Sequence, residues 1–197
     1  MRSNYSANAT AGLEILSEGQ CKRLIAGAME VLERTGVVYH DEESVNIMKK
    51  AGCFVDGNRV RVPCRLVERA IHSAPSKVTL NNSRSGAIAM ELEGGNGYFG
   101  TGSDTPFFFD PYSGDRVPAS RETVAMAAKV IDALSHIDFM MSLGIVQDVP
   151  QLVYDRYQFE AMVLNTSKPL VVTAIDNEGY GDIIKMCEII AGGESEL

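Results

Sequence analysis

The spacing of hydrophobic residues changes near residue 119 of the chain. Before that point, apolar residues mark short amphipathic helices separated by short alternating stretches, and Ser17 with Gln20 forms a capping box ahead of the first helix. After it, apolar residues recur at helical intervals from Val124 to Leu134, and helix-like and strand-like patterns then alternate. The pattern therefore predicts two kinds of architecture in one chain.

The first architecture is an α+β segment with antiparallel hairpins, which we assign to residues 13–118. Asp41 is predicted to cap a second helix, and Asp56-Gly57-Asn58 has the composition of a hairpin turn between two short strands. Residues 1–12 are small and polar and lack the apolar core of a signal peptide. We expect them to form a flexible tail.

The second architecture is α/β and covers residues 119–197. Strand-like runs at 137–146 and 170–174 flank a predicted helix at 151–165, and the second run is apolar enough for a strand buried on both faces. Strands joined by helices are typical of a parallel sheet or barrel, so we predict that the two runs are neighbouring parallel strands with a right-handed crossover. Because two strands leave such a sheet incomplete, we expect this chain to be the N-terminal part of a longer protein.

A glycine-rich and aromatic stretch, residues 94–115, joins the two architectures and holds six of the 18 glycines and four of the seven phenylalanines. Within it, Tyr98, Phe99, Asp104 and Phe107 are candidate substrate-binding residues, because aromatic faces beside a carboxylate suit a small organic cation. The alternative is a twisted hairpin with glycine bulges and buried phenylalanines. The stretch lacks the glycine order and the lysine of a phosphate-binding loop.

Composition and charge narrow the classes of function that the protein could have. The net charge is -8, and Lys and Arg form no cluster, so nucleic acid is not an expected partner. No apolar run has the length of a membrane span, and the four cysteines have no metal-ligand spacing, so we expect a cytoplasmic protein with reduced thiols and no bound metal. No catalytic constellation can be assembled, which leaves the catalytic residues unknown. Asp138, Asp148 and Asp176 are each either a site residue or a structural cap.

Short motifs in a fixed order connect this chain to a known family. They begin with Leu16-Ser17-Glu18-Gly19-Gln20 and continue through Val60-Arg61-Val62-Pro63, Asp132-Ala133-Leu134, Asp148-Val149-Pro150 and Thr166-Ser167-Lys168-Pro169-Leu170. Together they resemble the N-terminal part of the trimethylamine methyltransferase family, from about residue 13 onward.

The resemblance implies a (β/α)8 TIM-like barrel, of which residues 119–197 would form the first β/α units. It implies an enzyme that moves a methyl group from a methylamine or a quaternary amine, such as trimethylamine or glycine betaine, to a separate corrinoid protein. The corrinoid (cobalamin) would be carried by that partner and no cofactor by this chain. We also expect a homo-oligomer, and this fragment alone is expected to be inactive.

Two questions stay open at this point. Trimethylamine enzymes of this family use pyrrolysine in a later part of the barrel, and relatives acting on quaternary amines lack it, so this segment does not identify the branch. The alternative function is a non-catalytic docking or oligomerisation module of a larger barrel protein. A sugar or amino-acid enzyme on the same architecture is a third possibility, because fold does not fix function.

Overall fold

The computed structural model describes residues 13–194, so the expected tail at residues 1–12 lies outside the described residues. The chain forms two compact units, which divide between Ser76 and Lys77. The sequence pattern had placed the change of architecture later, at residue 119. Hydrogen bonds link residues 77–118 to the second half of the chain, such as those from the N–H of Ser83 to the carbonyl of Ser167 and from the N–H of Asp104 to the carbonyl of Ser142.

The first unit is a small three-stranded antiparallel sheet with three helices. In order, its elements are α1 (Glu18–Glu30), a π-helical turn (Val31–Thr35), β1 (Val37–Val38), α2 (Glu42–Lys50), β2 (Phe54–Asp56), β3 (Arg59–Arg61) and α3 (Cys64–Ser73). The strand order is β1-β3-β2, and Val37 and Val55 both lie opposite Val60. Val60 is therefore the centre of this sheet, and it is fully buried.

The caps of the first unit confirm the sequence predictions. Both hydrogen bonds of the Ser17 and Gln20 capping box are present, and the carboxylate of Asp41 accepts the N–H of Ser44 at 2.7 Å. The core beneath the sheet is built on Cys53, Val60 and Val62. Small polar residues thus start α1 and α2, and alternating apolar residues supply the core.

The second unit contains two hairpins followed by helices and parallel strands. The hairpins are β4 (Val78–Asn81) with β5 (Ile88–Leu92) and β6 (Phe107–Phe109) with β7 (Arg116–Pro118). The later elements are α4 (Arg121–Ala133), β8 (Met140–Met141), a 3₁₀ turn (Gln151–Val153), α5 (Tyr154–Val163), β9 (Leu170–Val171) and α6 (Asn177–Ala191).

Strands β8 and β9 are parallel neighbours, with Met140 opposite Leu170 and Met141 opposite Val171. This confirms the predicted parallel pairing, with α5 in the connection. The prediction that residues 170–174 are buried on both faces is wrong, because Val171 and Thr173 are exposed. Leu170 and Val172 point to the helices and pack on the core, and no described residue buries the opposite face.

The glycine-rich stretch lies on the other side of β8, also in parallel. Gly100 pairs with Phe139, and Thr105 pairs with Gly144, as isolated parallel bridges. Three neighbouring parallel segments therefore follow one another in chain order, at residues 99–105, 138–145 and 169–173. The described residues form a mixed α/β structure with small sheets, and closure into a barrel stays a prediction.

The core of the second unit lies between these segments and the helices. Residues on α4, the central segment and α5 form it: Val124, Ala128, Ile131, Met140, Val146, Ala161 and Met162. Along the central segment, burial alternates, with Met140, Ser142, Gly144 and Val146 all buried. This face is turned to the helices, which leaves the intervening residues on the opposite face.

Candidate functional site

The candidate site lies where the three parallel segments end. Ligands of parallel α/β folds bind at the carboxyl ends of the strands, where the chain leaves the sheet in loops. Here those ends are reached at Thr105, Val146 and Thr173. The residues that hold and line this edge belong to all three segments and to the start of α5.

Ser142 is the residue that links the three segments at this edge. Its side chain is buried, with 1% of the residue exposed. Its N–H donates to the carbonyl of Val171 at 3.0 Å, and its hydroxyl accepts the N–H of Thr173 at 2.9 Å. Its carbonyl accepts the N–H of Asp104 from the other side at 2.7 Å. One buried serine thus fixes the backbone of both neighbouring segments.

Asp104 has an unusual backbone. Among residues 13–194 it is the one non-glycine residue with a positive φ, at 57°. Its carboxylate is exposed and makes no hydrogen bond or ion pair with any residue that the structure describes. Asp tolerates the left-handed region better than most residues, yet such conformations are strained and cluster at functional sites. A bent backbone therefore presents an unpaired negative charge at the carboxyl end of the segments.

Tyr154 is the first residue of α5, which follows the central segment in the chain. Its ring is half-buried against the core of the unit. Burial raises the pKa of the Tyr154 phenol, and the negative charges of Asp104 and Asp155 raise it further. The phenol is therefore neutral at physiological pH, so it contributes a polar hydroxyl and an aromatic face but no charge.

Two buried polar side chains of α5 hold the loops around Tyr154. Asp155 is 1% exposed, and its carboxylate accepts the N–H of Ile175 at 3.0 Å and forms an ion pair with Arg156 at 3.2 Å. The amide of Gln158 donates to the carbonyl of Gly144. These bonds tie the start of α5 to the central segment and to the loop that follows β9.

Two of the predicted site residues, Tyr98 and Phe99, lie at the amino end of the parallel segments. The hydroxyl of Tyr98 accepts the N–H of Glu91 at 2.8 Å and donates to its carbonyl at 3.0 Å. Phe99 is 69% exposed, and its N–H donates to the carboxylate of Asp138 at 2.9 Å. These two residues therefore lie away from the carboxyl end of the segments.

The other two predicted residues, Asp104 and Phe107, lie at the carboxyl end. The guanidinium of Arg116 covers the ring of Phe107, with its carbon 3.7 Å from the ring centroid. The protein therefore already supplies a cation to that ring. Phe99 and Asp104 are five residues apart along an extended segment, which separates them by about 16 Å. A role for these four residues in substrate binding stays a prediction.

The three ambiguous aspartates have structural partners. Asp138 binds the N–H of Phe99, as described above. Asp148 accepts the N–H of Arg121 at 3.1 Å, at the first residue of α4. Asp176 caps α6 by accepting the N–H of Gly179 at 2.7 Å. Each of these carboxylates holds the end of a backbone element.

Sequence reasoning missed Ser142, Thr173 and Tyr154. A signal for Ser142 was present, because it is the one polar side chain between Phe139 and Val146. A hydroxyl inside an apolar strand must find a partner when it is buried. Thr173 and Tyr154 carried no comparable signal, since a threonine in a strand and a tyrosine at a helix start are ordinary.

Other parts of the described chain offer weaker candidates for a functional site. The first unit has an open cleft of about 450 Å³ lined by Tyr39, His40, Asp41 and Asn58, among others. In residues 13–194 no group of three or more His, Cys, Asp or Glu side chains is placed to hold a metal ion. No helix in the same range is long and apolar enough to cross a membrane.

Comparison with known proteins identifies relatives over nearly the whole chain. The family model for trimethylamine methyltransferase (MTTB) matches residues 2–196. Trimethylamine methyltransferase MttB of Desulfitobacterium hafniense is 29% identical over 190 residues, covering 94% of this chain and 38% of that protein. Glycine betaine methyltransferase of the same species is 25% identical over 184 residues, covering 93% of this chain and 38% of that protein.

A third relative agrees with these two. Trimethylamine methyltransferase MttB of Methanosarcina thermophila is 29% identical over 201 residues, covering 96% of this chain and 41% of that protein. The chain thus spans about two fifths of the length of the curated relatives it matches, in each case with nearly all of its own residues. On the strength of the match over residues 2–196, this chain belongs to the trimethylamine methyltransferase family.

Proposed function

We propose that the intact protein transfers a methyl group from a methylated amine or quaternary amine, such as trimethylamine or glycine betaine, to a corrinoid protein. Membership of the family over residues 2–196 is the observation that carries this proposal. The names of two relatives specify trimethylamine and glycine betaine as the compounds on which they act. The partner's corrinoid would supply a nucleophilic Co(I) as the methyl acceptor.

The candidate site supports a cationic methyl donor. Quaternary ammonium has no N–H, so a protein recognises it with aromatic faces and a nearby negative charge. Asp104 offers such a charge, unpaired in the described residues, at the carboxyl end of the parallel segments. When the methyl group leaves a quaternary amine, the electron pair of the broken C–N bond stays on nitrogen and gives a neutral tertiary amine. No proton has to move, so the protein mainly positions the donor and excludes water.

The proposal assigns residues 1–197 a part of the active site. They supply the first parallel segments and the charge of Asp104, whereas the rest of a barrel would complete the walls and the acceptor's docking surface. On its own this chain is therefore expected not to turn over substrate. The proposed compartment is the cytoplasm, where the four cysteines, none of them in a disulfide, would stay reduced.

The test is a methyl-transfer assay on the intact protein, with a reduced corrinoid protein as acceptor and methylamines and betaines as donors. Methylation of the corrinoid that requires both proteins and one of these donors supports the proposal. Asp104→Asn should lower the rate, and Asp115→Asn, which changes an exposed carboxylate in a hairpin turn, should not. If correctly folded protein transfers no methyl group from any donor, the proposal fails and the non-catalytic docking module is favoured.

A further inference from the structure

The β6–β7 hairpin is anchored at the same end of the parallel segments as the candidate site. The residues at its two ends, Pro106 and Ala119, both bond to Gln147, which follows the central segment. The N–H of Gln147 donates to the carbonyl of Ala119 at 2.8 Å, and its side-chain amide donates to the carbonyl of Pro106. Asp104 lies only two residues before Pro106 in the chain. The hairpin therefore begins and ends at the edge where the candidate site lies.

One face of this hairpin packs on the protein, and the other face is exposed. Phe108 points inward, since a Cβ added at Gly144 would lie 3.0 Å from its ring. Phe107 and Phe109 alternate with it and lie on the outer face, where Phe109 is 75% exposed. Arg116, the cross-strand neighbour of Phe109, places its guanidinium over the Phe107 ring. The outer face thus carries two phenylalanine rings and an arginine.

Hydrogen bonds fix the turn at the tip of the hairpin. One carboxylate oxygen of Asp110 accepts the N–H groups of Tyr112 and Ser113, both at 2.9 Å. The carbonyl of Asp110 also accepts the N–H of Gly114 at 2.9 Å, which completes a turn of the kind that Asp favours. Tyr112 is 95% exposed on this turn. Because the backbone is already fixed, binding through the tyrosine ring costs little additional conformational entropy.

The residue types and the position of the hairpin suit contact with a protein. Aromatic residues and arginine are enriched at the centres of protein interfaces. In the proposed reaction, the methyl carbon leaves nitrogen while it bonds to cobalt, and the two electrons of the new bond come from Co(I). Donor and corrinoid must therefore be in contact, so the acceptor protein has to lie against the edge that holds the donor. The hairpin is an exposed surface at that edge.

We propose that the outer face and tip of the β6–β7 hairpin form a docking surface for the corrinoid protein, with Phe109 and Tyr112 as the main contacts. This proposal rests on the proposed function and adds to it the surface that receives the acceptor. The small amine donor binds at the edge itself, so these two residues serve the acceptor and not the donor. Affinity for the two substrates should therefore respond differently to substitutions in the hairpin.

The test measures the two substrates of the intact protein separately. Calorimetric titration gives its affinity for the corrinoid protein used in the methyl-transfer assay, and rates give KM for that protein and for the amine donor. Phe109→Ser and Tyr112→Ser should each raise Kd and KM for the corrinoid protein by roughly 5- to 30-fold. KM for the amine, and kcat at saturating corrinoid protein, should stay within about twofold of the parent. Phe109→Tyr keeps a ring and should retain most of the affinity.

Phe54→Ser is the matched control, because it removes an exposed phenylalanine that also lies beside an arginine on a short antiparallel strand. It should leave the affinity for the corrinoid protein unchanged. Unchanged affinity in folded Phe109→Ser and Tyr112→Ser would overturn the proposal, as would an equal loss in Phe54→Ser or a parent that does not bind the corrinoid protein.

Thermal melts and size-exclusion chromatography of each variant identify other occupants of the hairpin face. A lower melting temperature with unchanged affinity would mean that another part of the intact chain covers the face. A changed oligomeric state with unchanged affinity would mean that a second copy covers it. Either result overturns the proposal.

The two proposals fail separately. Binding of the corrinoid protein that depends on Phe109 and Tyr112, without methyl transfer, supports the docking surface and rejects the proposed reaction. Methyl transfer with the same KM for the corrinoid protein in the parent and in both serine variants rejects the docking surface alone.

Discussion

The hydroxyl of Ser142 accepts the N–H of Thr173 at 2.9 Å, a position where a parallel ladder would use a backbone carbonyl. The carbonyl of Ser142 is turned to the opposite side, where it accepts the N–H of Asp104 at 2.7 Å. Ser142 therefore pairs with both neighbouring segments, because its hydroxyl takes the place that its backbone carbonyl would have opposite the N–H of Thr173. This exchange brings Asp104 and Thr173 to the same end of the site.

Replacing Ser142 with Ala should destabilise the protein. The change leaves the N–H of Thr173 without its acceptor, and an unmet backbone donor costs about 1–3 kcal/mol. Denaturant unfolding of Ser142→Ala should give a loss of this size. Ser135→Ala, an exposed serine just beyond α4, should stay within about 0.5 kcal/mol of the parent. A loss at Ser142 no larger than at Ser135 would show that the hydroxyl has no role in the pairing.

Asp104→Gly should separate stability from function. Glycine adopts a positive φ without strain, so we expect the free energy of unfolding to rise by up to about 1 kcal/mol. Loss of the carboxylate should at the same time weaken binding of ammonium substrates, more strongly at low salt. Unfolding curves and substrate titrations of the same preparation measure both effects. Stabilisation with unchanged substrate affinity would indicate that the strained backbone serves no binding role.

Asp132 should make stability depend on pH. The N–H of Ser167, 2.7 Å from its carboxylate, holds the pKa of Asp132 below its ordinary value, and the hydroxyls of Thr166 and Ser167 act in the same direction. A lowered pKa in the folded state stabilises the protein above the unfolded value of about 3.9, and this stabilisation disappears as pH falls through the folded value.

Asp132→Asn should therefore be less stable than the parent at pH 7, with a difference that shrinks as pH falls below about 4. Urea unfolding across this range measures the difference directly. Asp115→Asn, in an exposed hairpin turn, is the control and should follow the parent curve. A constant gap between Asp132→Asn and the parent at every pH would contradict the assignment.

Tyr98→Phe tests whether the hydroxyl of Tyr98 has a structural role or contacts substrate. The hydroxyl of Tyr98 bonds both the N–H and the carbonyl of Glu91, so its removal should cost about 1–2 kcal/mol of stability. Substrate affinity should be unchanged if the ring alone binds or if the residue is structural. Tyr180 is 60% exposed, so Tyr180→Phe should have little effect on unfolding. Lost affinity without lost stability in Tyr98→Phe would place its hydroxyl in the site.

Local elements could be predicted from the sequence because their causes are local. The capping box of Ser17, the Asp41 cap and the Asp56-Gly57-Asn58 turn each depend on a few adjacent residues, and all are present. The parallel pairing of β8 with β9 was predictable too, since apolar runs separated by a helical period have few other arrangements. The chain's family was recognisable from the order of its motifs.

The site could not be predicted to the same degree, because its geometry comes from distant pairings. The alternative for the glycine-rich stretch was a twisted hairpin, but its residues 99–105 pair in parallel with residues 138–145, through backbone hydrogen bonds and one from the N–H of Met141 to the Thr101 hydroxyl. Nothing near Asp104 in the sequence indicates that the carbonyl of Ser142 will fix its backbone. Residue types identified Asp104 as a candidate, whereas its partners required the structure.

The paired glycines of α6 provide the last prediction. A Cβ added at Gly179 would overlap the buried carboxylate of Asp155, whereas a Cβ added at Gly181 meets nothing within 4 Å. Alanine is the better helix former at both positions by about 1 kcal/mol. Gly181→Ala should therefore stabilise the protein by up to that amount, since only the helix propensity changes.

Gly179→Ala should do the opposite and destabilise the protein. The added methyl group must displace Asp155, whose carboxylate holds the N–H of Ile175 and the guanidinium of Arg156, and overpacking of this kind costs roughly 1–3 kcal/mol. Thermal and urea unfolding of the two variants compare the same substitution two residues apart on one helix. Equal effects at both positions would mean that Asp155 can move freely, and the loop after β9 would then not be held by its carboxylate.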